Sequence, residues 1–401
     1  MDNARRAKVY VIVFLTIAAA IMLPVLVLNC ILGLRSLGDD KAVMLASEWQ
    51  QATRGVTYAP PLSNNRPFKT ARLFGRLPEI NTVVFGSSTA MGVTQSMFLH
   101  GMRLYNFAQT GNGLATVVAE AEFLQHRQPD IQWLVIPLDW ALGFVYQAGA
   151  PGRVELSPPA AGAPGAAGPP VPLLQQMQDA LSLPRLRNLF GILQGIVRAE
   201  SPSTAFRQMF WQDEGEEYRC ADGTPARDFD TIFRGTCTGF RDDGSATFAN
   251  LEPVAPRRAQ ALIASAAVPS SKYAIALTQS GGKPNSLILE RIAALARGMQ
   301  ARGGGVILFM PPLLPGLERA LLDAPHTASQ LRQTKDALRR WAHAQNLVII
   351  DAGQAERYGC LTPEFVDEHH ALPQCYARVF SRYWRDTGNP GALSAGLYPV
   401  D

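Results

Sequence analysis

Thr82-Val83-Val84-Phe85-Gly86-Ser87-Ser88-Thr89 is the stretch that decides how this chain is read. Its first four residues are β-branched or apolar and read as a short buried strand. Gly86 permits a sharp turn, and Ser88 then stands at the carboxyl end of the strand. In α/β folds that end of the sheet is where chemistry is placed. Far along the chain, Asp367-Glu368-His369-His370 sets an acid three residues before a histidine. A hydroxyl, an imidazole and an orienting acid are the parts of an activated serine nucleophile.

Outward from this strand the same rhythm recurs. Short apolar runs at Leu104-Tyr105-Asn106-Phe107, Trp133 to Pro137, Val306 to Met310 and Leu347 to Asp351 read as further strands. Helical periodicity lies between them, over about 113–125, 286–302 and 328–345, and a closing helix is expected over about 376–385. Five short strands with intervening helices predict an α/β fold with a doubly wound parallel five-stranded sheet over residues 76–395. Between about 145 and 270 the alternation stops. Residues 148–172 are rich in Pro, Ala and Gly and read as a surface loop, 183–198 as an amphipathic helix, and 205–270 as irregular. This part, 145–270, is expected to be a large insertion that caps or flanks the core. Pro60-Pro61, Asn64-Asn65 and Pro67 argue against long regular structure in 35–75, which reads as a stalk and lead-in.

Val9 to Leu34 carries no charged residue and is apolar almost throughout. As a helix it would be roughly 39 Å long at about 1.5 Å per residue, enough to span a bilayer. Arg5, Arg6 and Lys8 precede it, so residues 1–8 are expected in the cytoplasm and the remainder in the extracytoplasmic, periplasmic space. Pro24 would kink such a span, which membranes tolerate. A cleaved signal peptide ending near Ala18-Ala19-Ala20 is the competing reading, though the apolar run continues past it. A lipid anchor at Cys30 is opposed by Asn29, where a small residue is expected.

The remaining four cysteines fit an oxidising compartment and two disulfides. Local pairing, Cys220 with Cys237 and Cys360 with Cys375, is the simplest of three connectivities. Each bridge would close a loop of about 15 residues and contribute roughly 3 kcal/mol in the loop-entropy model. The second would enclose Asp367 and His370. No CxxC occurs, and the cysteines are not clustered with histidines at zinc-ligand spacing. The formal charge is +4, from 37 basic and 33 acidic residues, with no basic stripe carrying interleaved aromatics, which argues against nucleic acid as a partner. Gly303-Gly304-Gly305 ends a helix rather than opening one, the wrong context for a phosphate cradle. No metal, nucleotide or other cofactor is expected.

Four separated blocks resemble those of the SGNH (GDSL-like) hydrolases, over roughly residues 78–140 and 285–385. Within that superfamily the chain is most similar to the membrane-anchored cell-envelope branch, whose members serve in O-acetylation or D-alanylation of surface polymers. The resemblance implies that Ser88 of Gly86-Ser87-Ser88 is the nucleophile, with Ser87 standing where the family has an acid. It implies that Gly111 of Asn106-Phe107-Ala108-Gln109-Thr110-Gly111 offers its N–H to an oxyanion, beside that of Ser88. It makes His370 the general base and Asp367 its orienting partner, with His369 as the rival base. The third block departs from the family. In Pro137-Leu138-Asp139-Trp140, Asp139 occupies the place of the family's asparagine, and a carboxylate cannot donate a hydrogen bond to an oxyanion. Three readings stay open: Asn112 supplies the donor, Asp139 is protonated, or Asp139 has a structural or acceptor-binding role.

Two functions follow from the resemblance. One is a serine acylesterase or O-acyltransferase acting on a cell-envelope polysaccharide or glycolipid through an acyl-serine. The other is a catalytically silent SGNH-like domain that binds polysaccharide or scaffolds a multi-span membrane acyltransferase. Ser88, Gly111, Asp367 and His370 favour the first; Asp139 and the missing acid at position 87 favour the second.

Overall fold

The computed structural model describes residues 8–20, 22–24, 27, 41–58, 65–139, 156, 190, 193–199, 201–203, 216–228, 237–249, 251–387 and 396–398. In chain order the elements are α1 (residues 8–20), α2 (Lys41–Thr53), β1 (Val56–Tyr58), α3 (Arg66–Arg76), β2 (Thr82–Val84), β3 (Leu104–Asn106), α4 (Leu114–Arg127) and β4 (Trp133–Pro137). After α5 (193–198) come the strands β5 (Glu216–Arg219) and β6 (Pro225–Asp228), then α6 (Pro256–Ala266), α7 (Lys272–Ser280) and α8 (Ser286–Gln300). The chain continues with β7 (Gly305–Met310), α9 (Leu317–Asp323), α10 (Ala328–Ala344), β8 (Val348–Asp351), α11 (Pro373–Thr387) and β9 (Gly396–Tyr398).

The core is a parallel sheet in the order β3-β2-β4-β7-β8-β9, flanked by helices. Its central strands β4 and β7 read as apolar runs because both faces are covered. Val83, Val84, Leu134, Val135, Ile136, Leu308, Phe309, Met310, Ile349 and Ile350 are all fully buried. The chain leaves β2 for β3 on one side and then crosses to β4 on the other. That reversal is the topological switch point at which open α/β sheets bind ligands. Register makes this concrete: Val84 lies opposite both Asn106 and Val135. The segments leading to Ser88, Gly111 and Asp139 therefore leave the sheet at the same edge.

The sheet has six strands rather than the expected five. β9 is only Gly396-Leu397-Tyr398, and it pairs in parallel with β8. Three residues are too few to stand out as an apolar run, so this strand is invisible to periodicity. Residues 35–75 also differ from the expected stalk, because α2, β1 and α3 lie there. Pro67 sits in the first turn of α3, where a missing N–H costs nothing, so it opens the helix instead of breaking it. Phe68, Lys69, Thr70, Arg72 and Leu73 of α3 are buried.

The insertion region is more regular than its composition suggested. β5 and β6 form an antiparallel hairpin, and β1, from before the core, adds to it in parallel. Disulfides join Cys220 to Cys237 and Cys360 to Cys375, with Cα atoms 5.7 and 5.0 Å apart. Both are the sequence-local pairings. α6 and α7 occupy most of 256–280, where the sequence reads as irregular up to residue 270. The loop expected at 148–172 lies almost wholly outside the described residues, as does most of the helix expected over 183–198.

Residues 8–20 are helical, and Val9, Val11, Ile12, Phe14, Leu15 and Ile17 are exposed. Among the described residues no helix is long and apolar enough to cross a membrane. The span expected over 9–34 runs on into residues outside those described, Cys30 among them.

Candidate active site

The turn after β2 is shaped by Gly86. Its φ is +141°, and a Cβ there would lie 2.6 Å from Pro137 Cγ and 2.8 Å from Ala90 Cβ. Only glycine accepts both the angle and the crowding. A short 3₁₀ turn, Ser88–Ala90, begins immediately afterwards, and the Ser87 side chain caps it by accepting from the Thr89 N–H. Ser88 is thereby lifted off the sheet edge at the start of a turn. Tyr376 of α11 donates its hydroxyl to the Thr89 carbonyl and braces that turn from behind.

The Asp367–His370 loop is fixed independently. Asp367 Oδ1 accepts the backbone N–H groups of His369 and His370 at 2.9 and 2.8 Å. The N–H of Val366 closes the loop onto the His370 carbonyl at 3.0 Å. The Cys360–Cys375 disulfide encloses the whole segment.

These two segments meet. Ser88 Oγ lies 2.7 Å from His370 Nε2, and His370 Nδ1 lies 2.6 Å from Asp367 Oδ2. A carboxylate can only accept, so Nδ1 carries the imidazole proton and Nε2 is left to accept from the serine hydroxyl. Burial opposes ionisation of Asp367, but the hydrogen bond from His370 and the two adjacent histidines outweigh it. Its carboxyl is held well below the usual carboxylate range.

It is His370, and not His369, whose ring nitrogen meets Ser88 Oγ. The His369 ring packs against that of His370, centroids 4.1 Å apart, and its Nδ1 faces Lys272 Nζ at 3.1 Å. Lys272 also pairs with Glu368 at 2.7 Å. The Glu368 carboxyl is lowered to about 2, first by its hydrogen bond with His369 and, against the effect of burial, by Lys272. The sequence reading missed Lys272, which begins α7 near the end of the insertion and gives no local sign of the contact.

A cavity of about 210 Å³ opens beside Ser88, which lines it together with Gly111, Asn112, Leu114, Pro137 and Asp139 among others. It is fed by the turns after β2, β3 and β4, the strands that flank the switch point. A larger concavity, about 730 Å³, runs along α11 past Arg357, Arg378 and Arg382 and contains no member of the Ser88–His370–Asp367 set. The chemistry singles out the smaller one. Among the described residues, no protein acceptor takes the backbone N–H of Ser88 or of Gly111. Gly111 has φ +69°, a left-handed angle that favours glycine.

The remaining expected residues fall as follows. The Asn106 side chain is buried and structural, donating to the carbonyls of Ala90 and Val93 and accepting from the Ala108 N–H. Asn112 donates its side-chain amide to Glu120 Oε2 at 2.9 Å and its backbone N–H to Gln109. Its amide is thus tied to α4 rather than held over Ser88. Asp139 lines the cavity as a carboxyl group and receives the Thr89 hydroxyl at 3.4 Å. Trp140, next in that block, lies outside the described residues.

Asp367, His369 and His370 lie close enough together to converge on a cation. Two of those three groups are already engaged with each other and with Ser88, which suits proton transfer better than metal ligation. Cys360 and Cys375 sit near Glu364 but are bonded to each other. No protein-family model, curated protein or solved structure matches the chain.

Proposed function

We propose that the chain is a serine acylesterase or O-acyltransferase of the SGNH (GDSL-like) type, working through an acyl-Ser88 intermediate. The observation that carries this reading is the continuous relay from Ser88 Oγ through His370 to Asp367, at 2.7 and 2.6 Å. These are the distances a nucleophile, base and orienting acid require.

In the proposed reaction His370 Nε2 takes the Ser88 proton as Oγ attacks an ester carbonyl. The carbonyl electron pair moves onto oxygen, which accepts from the N–H groups of Ser88 and Gly111. The intermediate collapses, the ester C–O bond breaks, and His370 returns the proton to the departing alcohol. Water or a sugar hydroxyl then attacks the acyl-serine, with His370 again taking and returning the proton. The small cavity suits a short acyl group.

The proposed setting is the outer face of a cytoplasmic membrane, with residues 9–34 as a single-pass anchor. The exposed apolar side chains of α1 and the two disulfides support it. A cell-envelope polysaccharide or acylated glycan is then the proposed acceptor or substrate, and a multi-span membrane acyltransferase a proposed partner.

One observation favours a second reading, a silent polysaccharide-binding or scaffolding domain. A carboxyl group, Asp139, lines the cavity in which an oxyanion would form. Labelling with a fluorophosphonate separates the two, because only an activated serine reacts. The parent protein should be labelled and Ser88→Ala should fold and not be. An unlabelled parent would leave the binding domain as the reading.

A further inference from the structure

Lys69 is the least expected buried residue near the site. It lies on α3 and has no solvent exposure. Its Nζ stands 4.6 Å over the ring of Phe240 and donates to the Ala108 carbonyl at 2.6 Å. Ala108 is equally buried and lies between Asn106 and Gly111. The flanking N–H groups point the other way, from Phe107 to the Val84 carbonyl at 2.7 Å and from Gln109 to the Gly86 carbonyl at 2.9 Å. The segment thus continues the β2–β3 pairing, with its outward carbonyl at Ala108 aimed at Lys69. A buried carbonyl without a partner is costly, so this one contact fixes the strand extension from its outer side.

The same helix reaches the far end of the loop. Arg66 pairs with Glu120 at 2.5 Å, and Glu120 accepts the side-chain amide of Asn112. Glu120 is fully buried. Helix α3 therefore holds the loop on both sides of Gly111, directly at Ala108 and through Glu120 at Asn112. We propose that Lys69 and Arg66 are positioning residues, which clamp the 106–112 loop so that the Gly111 N–H points at the oxyanion formed on Ser88.

This inference rests on Ser88 being the nucleophile. It gives α3, in the segment between the proposed anchor and the sheet, a direct mechanical link to the cavity. Neither residue lines the cavity, and both act through the backbone direction of the loop.

The test uses the full chain in detergent, with Lys69→Met and Arg66→Met compared with the parent. Lys69→Met keeps side-chain length and removes the donor. Fluorophosphonate labelling of Ser88 should slow at least about tenfold in Lys69→Met and about threefold in Arg66→Met, the scale of weakening an oxyanion donor. With an aryl acetate, kcat should fall and KM stay within about twofold, because the donor acts on the transition state. The low-field proton resonance of His370 Nδ1–H should be unchanged, which a general loosening of the site would not allow. Parent-rate labelling of either folded variant overturns the clamp, and so does loss of the His370 resonance. Should Lys69→Met fail to fold, Arg66→Met decides by the same readouts, since the Arg66 side chain is 30% exposed. A parent that is not labelled at all fails the reading of Ser88 instead.

Discussion

Ser88 Oγ and His370 Nε2 meet at 2.7 Å although 282 residues separate them in sequence. Neither side chain is placed by the other. Ser88 is raised by the Gly86 turn, and His370 by a loop wound around the Asp367 carboxylate. α11 joins the two supports: it starts just after His370, and its Tyr376 braces the turn that carries Ser88. Such independent placement is preorganisation, with the hydrogen bond a result of two rigid supports.

Asp367→Asn should test the tautomer. Asparagine can still accept the backbone N–H groups of His369 and His370 through Oδ1, so the loop should hold. Its NH₂ would then face His370 Nδ1 and require that nitrogen to be an acceptor. The proton would move to Nε2, where it blocks the serine. The acylation rate should fall by about 10³- to 10⁴-fold with little change in melting temperature. Stopped-flow acylation with an aryl acetate checks this; a loss under tenfold would mean that Asp367 only shapes the loop.

Much of this site was legible in the sequence because its parts are local. Gly86-Ser87-Ser88 and Asp367 to His370 are contiguous, and each makes its own turn. The strands beneath them are unbroken apolar runs. What the sequence hid depends on contacts made at a distance. Nothing in the sequence marks Lys69, within a segment that reads as a stalk, for burial; it is the Ala108 carbonyl and the Phe240 ring, 39 and 171 positions away, that meet its Nζ. Pro67 reads as a helix breaker until the helix is seen to start there. Lys272 gives no sign of meeting Glu368 and His369, since α7 reaches them through tertiary packing alone. β9 is too short to carry a period.

Asp139→Asn should show what the carboxyl group does beside Ser88. A carboxylate lining the cavity proposed to hold the oxyanion opposes negative charge there, whereas an amide can donate to it. Labelling of Ser88 should accelerate about tenfold. The Thr89 hydroxyl contact survives in the amide, whose oxygen still accepts. A slower variant would show instead that the charge of Asp139 is needed, either for the Ser88 turn or for holding an acceptor.

Removing the Cys360–Cys375 bridge, as Cys360→Ser with Cys375→Ser, should cost about 3 kcal/mol by the loop-closure relation for a separation of 15 residues. Activity well below the melting temperature should persist. The loop keeps its internal ties from Asp367, the Val366-to-His370 bond and the Leu314 N–H donated to the Glu368 carbonyl at 3.0 Å. Differential scanning calorimetry with parallel turnover separates stability from function. Loss of turnover at temperatures where the variant remains folded would give the bridge a direct role in aligning His370.

Lys69 also predicts a dependence of stability on pH whose sign is fixed by its burial. Desolvation lowers the ammonium to about 7, with the Asp243 charge opposing. In the unfolded chain a lysine titrates near pH ~10.4. Between those values the unfolded state holds a proton that the folded state has released, so stability rises with pH. Below about pH 7 both states are protonated and the cost of burying the charge is fully present. Lys69→Met has no such cost, since an apolar side chain of similar volume replaces a buried charge. Compared by chemical denaturation, Lys69→Met should therefore be favoured most at pH 6. The parent should gain on it at pH 8 and again at pH 10, by up to about 1.4 kcal/mol per pH unit. A gap that stays constant from pH 6 to 10 would mean that the ammonium remains charged in the folded protein, held by Ala108, Phe240 and Asp243 more strongly than burial disfavours it.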